Sequence, residues 1–153
     1  MIDHYAATAQ SRAELFSGCT HEQALVYAVE DVVAEVFPWA TMNKAALLKF
    51  VDHLSEREGI DSPSIDYLSK RGNVLASACF ESRTITVRGS DVSVGTALHE
   101  IAHLTCASQL HGSVFRNELV RLVRRYGDVE HAALLHQVFG ASGLTVAPWE
   151  SSS

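Results

Sequence analysis

The chain has 153 residues, 47% of them apolar and 20% charged, which suits a soluble globular protein with one core rather than two independent ones. Three cysteines, an odd number with no paired spacing, exclude a disulfide framework and a CxxC zinc site. The net charge of −6 is uneven: eleven acids and four bases over residues 1–69, four acids and eight bases over 70–126, and three acids beyond.

Met1-Ile2-Asp3-His4-Tyr5 contains no basic stretch followed by an apolar one, and no uncharged apolar run approaches membrane-spanning length. The expectation is a cytoplasmic protein without a membrane partner. One domain is expected over 1–150, with 151–153 as a disordered tail.

Three helices open the chain, about Asp3 to Phe16, His21 to Phe37 and Asn43 to Glu58. Thr20 with Gln23 forms a capping box for the second, Pro38 stops it, and Gly59 closes the third. Leu47, Phe50, Val51 and Leu54 recur at helical spacing, whereas His4, His21 and His53 read as surface residues. After Asp61-Ser62-Pro63 come three strands, Ser64 to Leu68, Val74 to Phe80 and Thr84 to Arg88, with turns at Lys70 to Asn73 and Glu81 to Arg83. Ile85 and Val87 alternate with Thr84, Thr86 and Arg88, the pattern of a half-exposed edge strand on which an extended peptide could add by β-pairing. Ser90 or Asp91 is expected to cap the next helix, which ends near Ser108 to Leu110. Two more helices follow, Val114 to Tyr126 with Phe115, Leu119, Leu122 and Tyr126 inward, and Val129 to Phe139 ending at Gly140. Leu144-Thr145-Val146 is then a short strand or a packed tail.

The chemistry concentrates in Leu98-His99-Glu100-Ile101-Ala102-His103, an HExxH sequence. On a helix its two imidazoles share one face a turn apart, with a carboxylate beside them, the arrangement that holds a zinc ion and a water it activates. Glu100 is the only charged residue from Val92 to Leu110 apart from the histidines. Burying a lone carboxylate costs several kcal/mol unless it is compensated, and a bound cation would compensate it.

A catalytic zinc ordinarily takes three protein ligands. The HExxHxxGxxH pattern fails, because Cys106 and Gln109 occupy its glycine and third-histidine positions. His111, in the turn after the motif helix and followed by Gly112, is the leading third ligand; Glu118, His131 and His136 are the alternatives. Cys106, on the ligand face a turn further along, could close the coordination sphere. Tyr126, Arg116 and His131 are candidate donors to a developing oxyanion. Arg116, Arg121, Arg124 and Arg125 supply half of the positive charge of 70–126 and form either a solvated helix face or a cationic rim for an anionic ligand or DNA.

HExxH followed by His111-Gly112-Ser113-Val114-Phe115 resembles the SprT-like and Wss-like zincin metalloproteases. The stretch from about Ile85 to Val146, with Tyr126-Gly127, Ala132-Ala133-Leu134-Leu135, Phe139 and Gly143-Leu144-Thr145-Val146, is similar to a family of small bacterial metallohydrolases. That resemblance implies Zn²⁺ held by His99, His103 and His111, with Glu100 as the catalytic acid and base. The combined expectation is an α+β, single zincin-like domain with N-terminal helices, a sheet of about three strands, the HExxH helix and two C-terminal helices. Its function would be zinc-dependent hydrolysis of a peptide or amide bond, with a peptide or protein as substrate. A non-catalytic zinc-binding module and a nucleic-acid-associated protein are the other two classes the residues allow.

Overall fold

Six helices and five short strands account for the regular structure of the described residues, 1–69 and 76–150, in the computed structural model, an α+β architecture. The expected turn at 70–73, the first two residues of the strand expected from Val74, and the tail 151–153 lie outside the described residues. By contacts the chain forms two compact units: Trp39–Gln109, and Met1–Pro38 with the chain from Leu110 onward.

The second of these is helical, with α1 (Ile2–Ala13), α2 (His21–Val36), α5 (Ser113–Tyr126) and α6 (Val129–Ala141). Thr20 caps α2 by accepting the Gln23 N–H at 3.1 Å. Phe37 leaves helical geometry at φ −123° because the residue before a proline is driven to extended backbone. Ala6, Ala9 and Ala13 give α1 a buried face of small side chains, which lets it lie close against α2 and α6. The core is completed by Val26, Val29 and Val33, by Phe115, Leu119 and Leu122 of α5, and by Leu135, Val138 and Phe139 of α6, all at most 2% exposed. Each such side chain contributes about 1.5–3 kcal/mol relative to leaving it exposed. Helix α6 runs one residue past Gly140. The left-handed residue that ends it is Gly143 at φ 82°, with the Leu144 N–H returning to the Phe139 carbonyl at 3.0 Å. Leu144-Thr145-Val146 forms no strand and packs as a tail through buried Leu144.

The other unit combines α3 (Lys44–Glu58), capped by Asn43 and closed by Gly59 at φ 68°, with two small ladders and α4 (Val94–Thr105). Strands β2 (Ser64–Leu68), β3 (Ala76–Cys79) and β4 (Thr84–Arg88) lie in the order β2-β4-β3. Strand β4 is therefore central, not an edge. It pairs in parallel with β2, Ser64 opposite Thr84, and antiparallel with β3, Cys79 opposite Thr84. Ile85 and Val87 are buried while their neighbours are half-buried; the alternation reports a covered face and carries no information about pairing at the sides. Peptide addition to Thr84–Arg88 is consequently ruled out.

Strand β1 (Thr41–Met42) pairs antiparallel with β5 (Val92–Ser93) immediately before α4. This ladder carries the chain past Ser90 and Asp91, so the helix cap is Ser93, whose hydroxyl accepts the Thr96 N–H at 3.0 Å. In the first turn of α4, Gly95 lies against the Trp39 indole so closely that a Cβ would overlap the ring. Trp39 thus covers the start of the motif helix because that position carries no side chain. Among the described residues no helix is long and apolar enough to cross a membrane.

Candidate metal centre

Helix α4 buries its polar residues. His99, Glu100 and His103 are 5%, 6% and 4% exposed, in line with Ala97, Leu98, Ile101, Ala102 and Leu104 around them. The two imidazoles, one turn apart, approach edge-on with centroids 5.2 Å apart. The helix ends at Thr105, earlier than its uncharged composition suggests, because Ala107 takes a left-handed conformation at φ 54°. The closing bonds run from the Cys106 N–H to the Ala102 carbonyl at 3.0 Å and from the Ser108 N–H to the His103 carbonyl at 3.1 Å, a Schellman closure with alanine where glycine is usual.

This closure also orients a side chain. The Ser108 carbonyl lies 2.7 Å from His103 Nδ1, so Nδ1–H donates to it and Nε2 keeps its lone pair. Burial, reinforced by neighbouring His99 and opposed by the Ser108 hydrogen bond, lowers the His103 pKa to about 4. The ring is neutral at physiological pH, the form a metal ligand requires.

His111, 8% exposed, precedes α5, where Gly112 is the N-terminal cap residue. Its ring contacts two aromatic rings, Tyr27 at 5.2 Å and Phe115 at 4.9 Å between centroids. Its backbone carbonyl accepts a hydrogen bond from Arg116 Nη1 at 2.8 Å.

One ligand-capable nitrogen from each of His99, His103 and His111 lies within 4.8 Å of the other two. Zinc–nitrogen bonds of about 2.0–2.1 Å in tetrahedral array would separate ligand nitrogens by roughly 3.3 Å. Three buried imidazoles so close together can hold a metal ion. Among the described residues Cys106, Glu118, His131 and His136 do not belong to the cluster. Glu118 pairs with Arg121 at 2.6 Å, His131 stacks on Phe37, and His136 Nε2 lies 2.6 Å from the Ala147 carbonyl. His4, His21 and His53 are exposed.

The arginines divide. Arg116 is 3% exposed, so it belongs to no solvated face or rim. Arg124 stacks over the Trp149 ring and donates to the Glu150 carbonyl at 2.6 Å, and Arg125 lies over Tyr126. Sequence reading missed the tasks of Arg116 and Ser108. For Arg116 a signal was present: it shares the i, i+3, i+4, i+7 stripe of Leu119, Val120 and Val123, all buried. Gln109 was missed as well; its amide meets the backbone of β3, donating to the Ala78 carbonyl at 3.1 Å and accepting from the Phe80 N–H at 3.3 Å.

No family model matches the chain, and no curated protein or solved structure matches it.

Proposed function

We propose that the protein is a zinc-dependent hydrolase of peptide or amide bonds, with His99, His103 and His111 as zinc ligands and Glu100 as the proton carrier. The observation that carries this reading is the gathering of three buried imidazoles whose ligand nitrogens lie within 4.8 Å, with a buried carboxylate next to His99 on the same helix. A bound zinc ion would polarise the substrate carbonyl and bring the pKa of a water toward neutrality.

The chain's own residues supply the rest. Glu100 accepts a proton from the attacking water and returns it to the leaving amine, so one group serves as base and then acid. The Ser108 carbonyl holds His103 in a single tautomer. The apolar neighbours on α4 limit access of bulk water to Glu100, which strengthens each charged interaction around it. A cluster of three ligands, without Cys106, favours an open catalytic position over the four-ligand closure of structural zinc. The burial of Arg116 takes one of four cations from any nucleic-acid platform, so peptide or amide hydrolysis is the better-supported reading.

The test is Glu100→Gln, which keeps the size of the side chain and removes its basicity. Zinc content and fold should match the parent, while cleavage of peptides in a fluorogenic library falls by about two to four orders of magnitude. Parental turnover in the variant would end the proposed mechanism.

A further inference from the structure

Arg116 makes an unusual set of contacts for a cation without a buried acid beside it. Its Nε and Nη2 both donate to the Thr145 carbonyl, at 3.1 and 2.9 Å, and its Nη1 donates to the His111 carbonyl at 2.8 Å. The carboxylate it meets is that of Glu22, at 3.3 Å from Nη1 and 55% exposed. Desolvating a guanidinium is costly, and two backbone carbonyls plus a half-exposed acid compensate it only because the planar fork reaches all three together.

The location of those carbonyls gives the arrangement its meaning. His111 lies just outside α5, before its cap residue, so its carbonyl is not part of the helical ladder. Gly112 caps α5 without a side-chain hydrogen bond and is held through its carbonyl, which accepts the Arg116 N–H at 2.9 Å. A tie on the His111 carbonyl fixes the peptide that carries the imidazole. Arg116 supplies that tie, one helical turn along, and anchors it to a segment 29 residues further on. The His111 ring is meanwhile confined by Tyr27 and Phe115.

We propose that Arg116 is a positioning residue for the metal centre, setting the His111 backbone so that its imidazole joins His99 and His103, with the Thr145 carbonyl as its anchor. This inference rests on the metal reading above, and its test separates the two.

Zinc affinity is measured by chelator competition for the parent, Arg116→Lys, Arg121→Lys and a chain ending at Leu144, with circular dichroism to confirm the fold. Lysine keeps the charge and loses the fork; the shortened chain keeps Arg116 and loses its anchor. Arg116→Lys and the shortened chain should each weaken zinc binding about 10- to 100-fold, the usual consequence of losing a group that orients a ligand. Arg121→Lys, on the same helix but paired with Glu118, should bind as the parent does. The cobalt-loaded form of Arg116→Lys should also show an altered visible spectrum. In a His111→Ala background Arg116→Lys should change the residual, weak cobalt affinity no further, since its effect passes through the missing ring. If Arg116→Lys does not fold, the shortened chain decides. Parental affinity in a folded Arg116→Lys, or in the folded shortened chain, overturns the positioning role and leaves the metal site standing. A parent that binds no zinc overturns the metal reading itself.

Discussion

His103 and His111 reach the same cluster by opposite means. His103 is fixed by residues that follow within five positions: the helix closes through Ala107, and Ser108 takes both the His103 backbone carbonyl and its ring nitrogen as partners. His111 also has near partners in Phe115 and Arg116, but it is tied in addition to residues far along the chain, with Tyr27 against its ring and Arg116 linking its carbonyl to that of Thr145. A locally fixed ligand survives as long as its helix end does. A ligand fixed by distant partners depends on the packing of the whole helical unit.

The largest expected effect removes an imidazole from either side. The parent should hold about one zinc per chain, and His99→Ala, His103→Ala and His111→Ala should each lose tight binding, because two nitrogens leave the ion mostly to water. Metal analysis after gel filtration checks this. A full equivalent retained by His111→Ala would dissolve the comparison, since His111 would then be no ligand.

Next in size is an attack on the packing alone. Phe115 is fully buried and meets the His111 ring, so Phe115→Ala should cost about 3–5 kcal/mol by denaturant unfolding. It should also weaken zinc binding in whatever fraction stays folded, whereas a comparable loss in the other unit, such as Leu54→Ala, should leave affinity nearer the parent. Equal loss of affinity in both would mean that general destabilisation, rather than the surroundings of His111, controls the site.

The same division explains what could be read in advance. HExxH and His111-Gly112 are legible because spacing along a helix and a glycine after it are local facts. The strands at 64–68 and 84–88 match expectation to the residue, yet the place of 84–88 in the sheet does not, because alternation records which face is covered while pairing is settled by residues elsewhere. Ser93 displaced Ser90 and Asp91 as the cap through a two-residue ladder with Thr41–Met42, too short to leave a pattern. Arg116 shares the buried stripe of Leu119, Val120 and Val123, so its burial could be read from spacing, but the two backbone carbonyls that receive its guanidinium come from the turn before α5 and from Thr145, which no periodicity announces. The residues that could bind a metal were visible, and much of what holds them was not.

A third histidine sharpens the comparison by standing outside it. His131 is buried against Phe37, and burial lowers its pKa, with Asp128 pulling the other way. Above about pH 6.5 the ring is neutral in both folded and unfolded chains and costs nothing. Below that, the unfolded chain takes up a proton that the folded chain refuses, so stability falls with pH until the folded pKa is reached. His131→Phe should therefore flatten the decline in urea midpoint between pH 7.5 and 5, measured without metal. His103 acts in the same direction, so the slope shrinks without vanishing. An unchanged slope would mean that His131 protonates in the fold as readily as in the unfolded chain. Zinc affinity at pH 7.5 should not move, because this histidine has no part in the cluster.

The smallest effect tests the local closure behind His103. Ala107 occupies a left-handed conformation at φ 54°, which costs an L-residue about 1–2 kcal/mol and glycine almost nothing. Ala107→Gly removes that strain but adds about 0.4–1 kcal/mol of unfolded-chain entropy to be lost on folding. The net gain should be roughly 0.5–1 kcal/mol, a rise in Tm of a few degrees for a chain of this size. The hydrogen bond from His103 to the Ser108 carbonyl depends on the path of the turn and not on the Ala107 methyl, which is exposed, so zinc affinity should stay at the parental value. A stabilised variant with weakened zinc binding would show that the strained residue itself holds Ser108 in place. His103 would then depend on stored strain just as His111 depends on distant partners, and the contrast between the two ligands would narrow to one of distance along the chain.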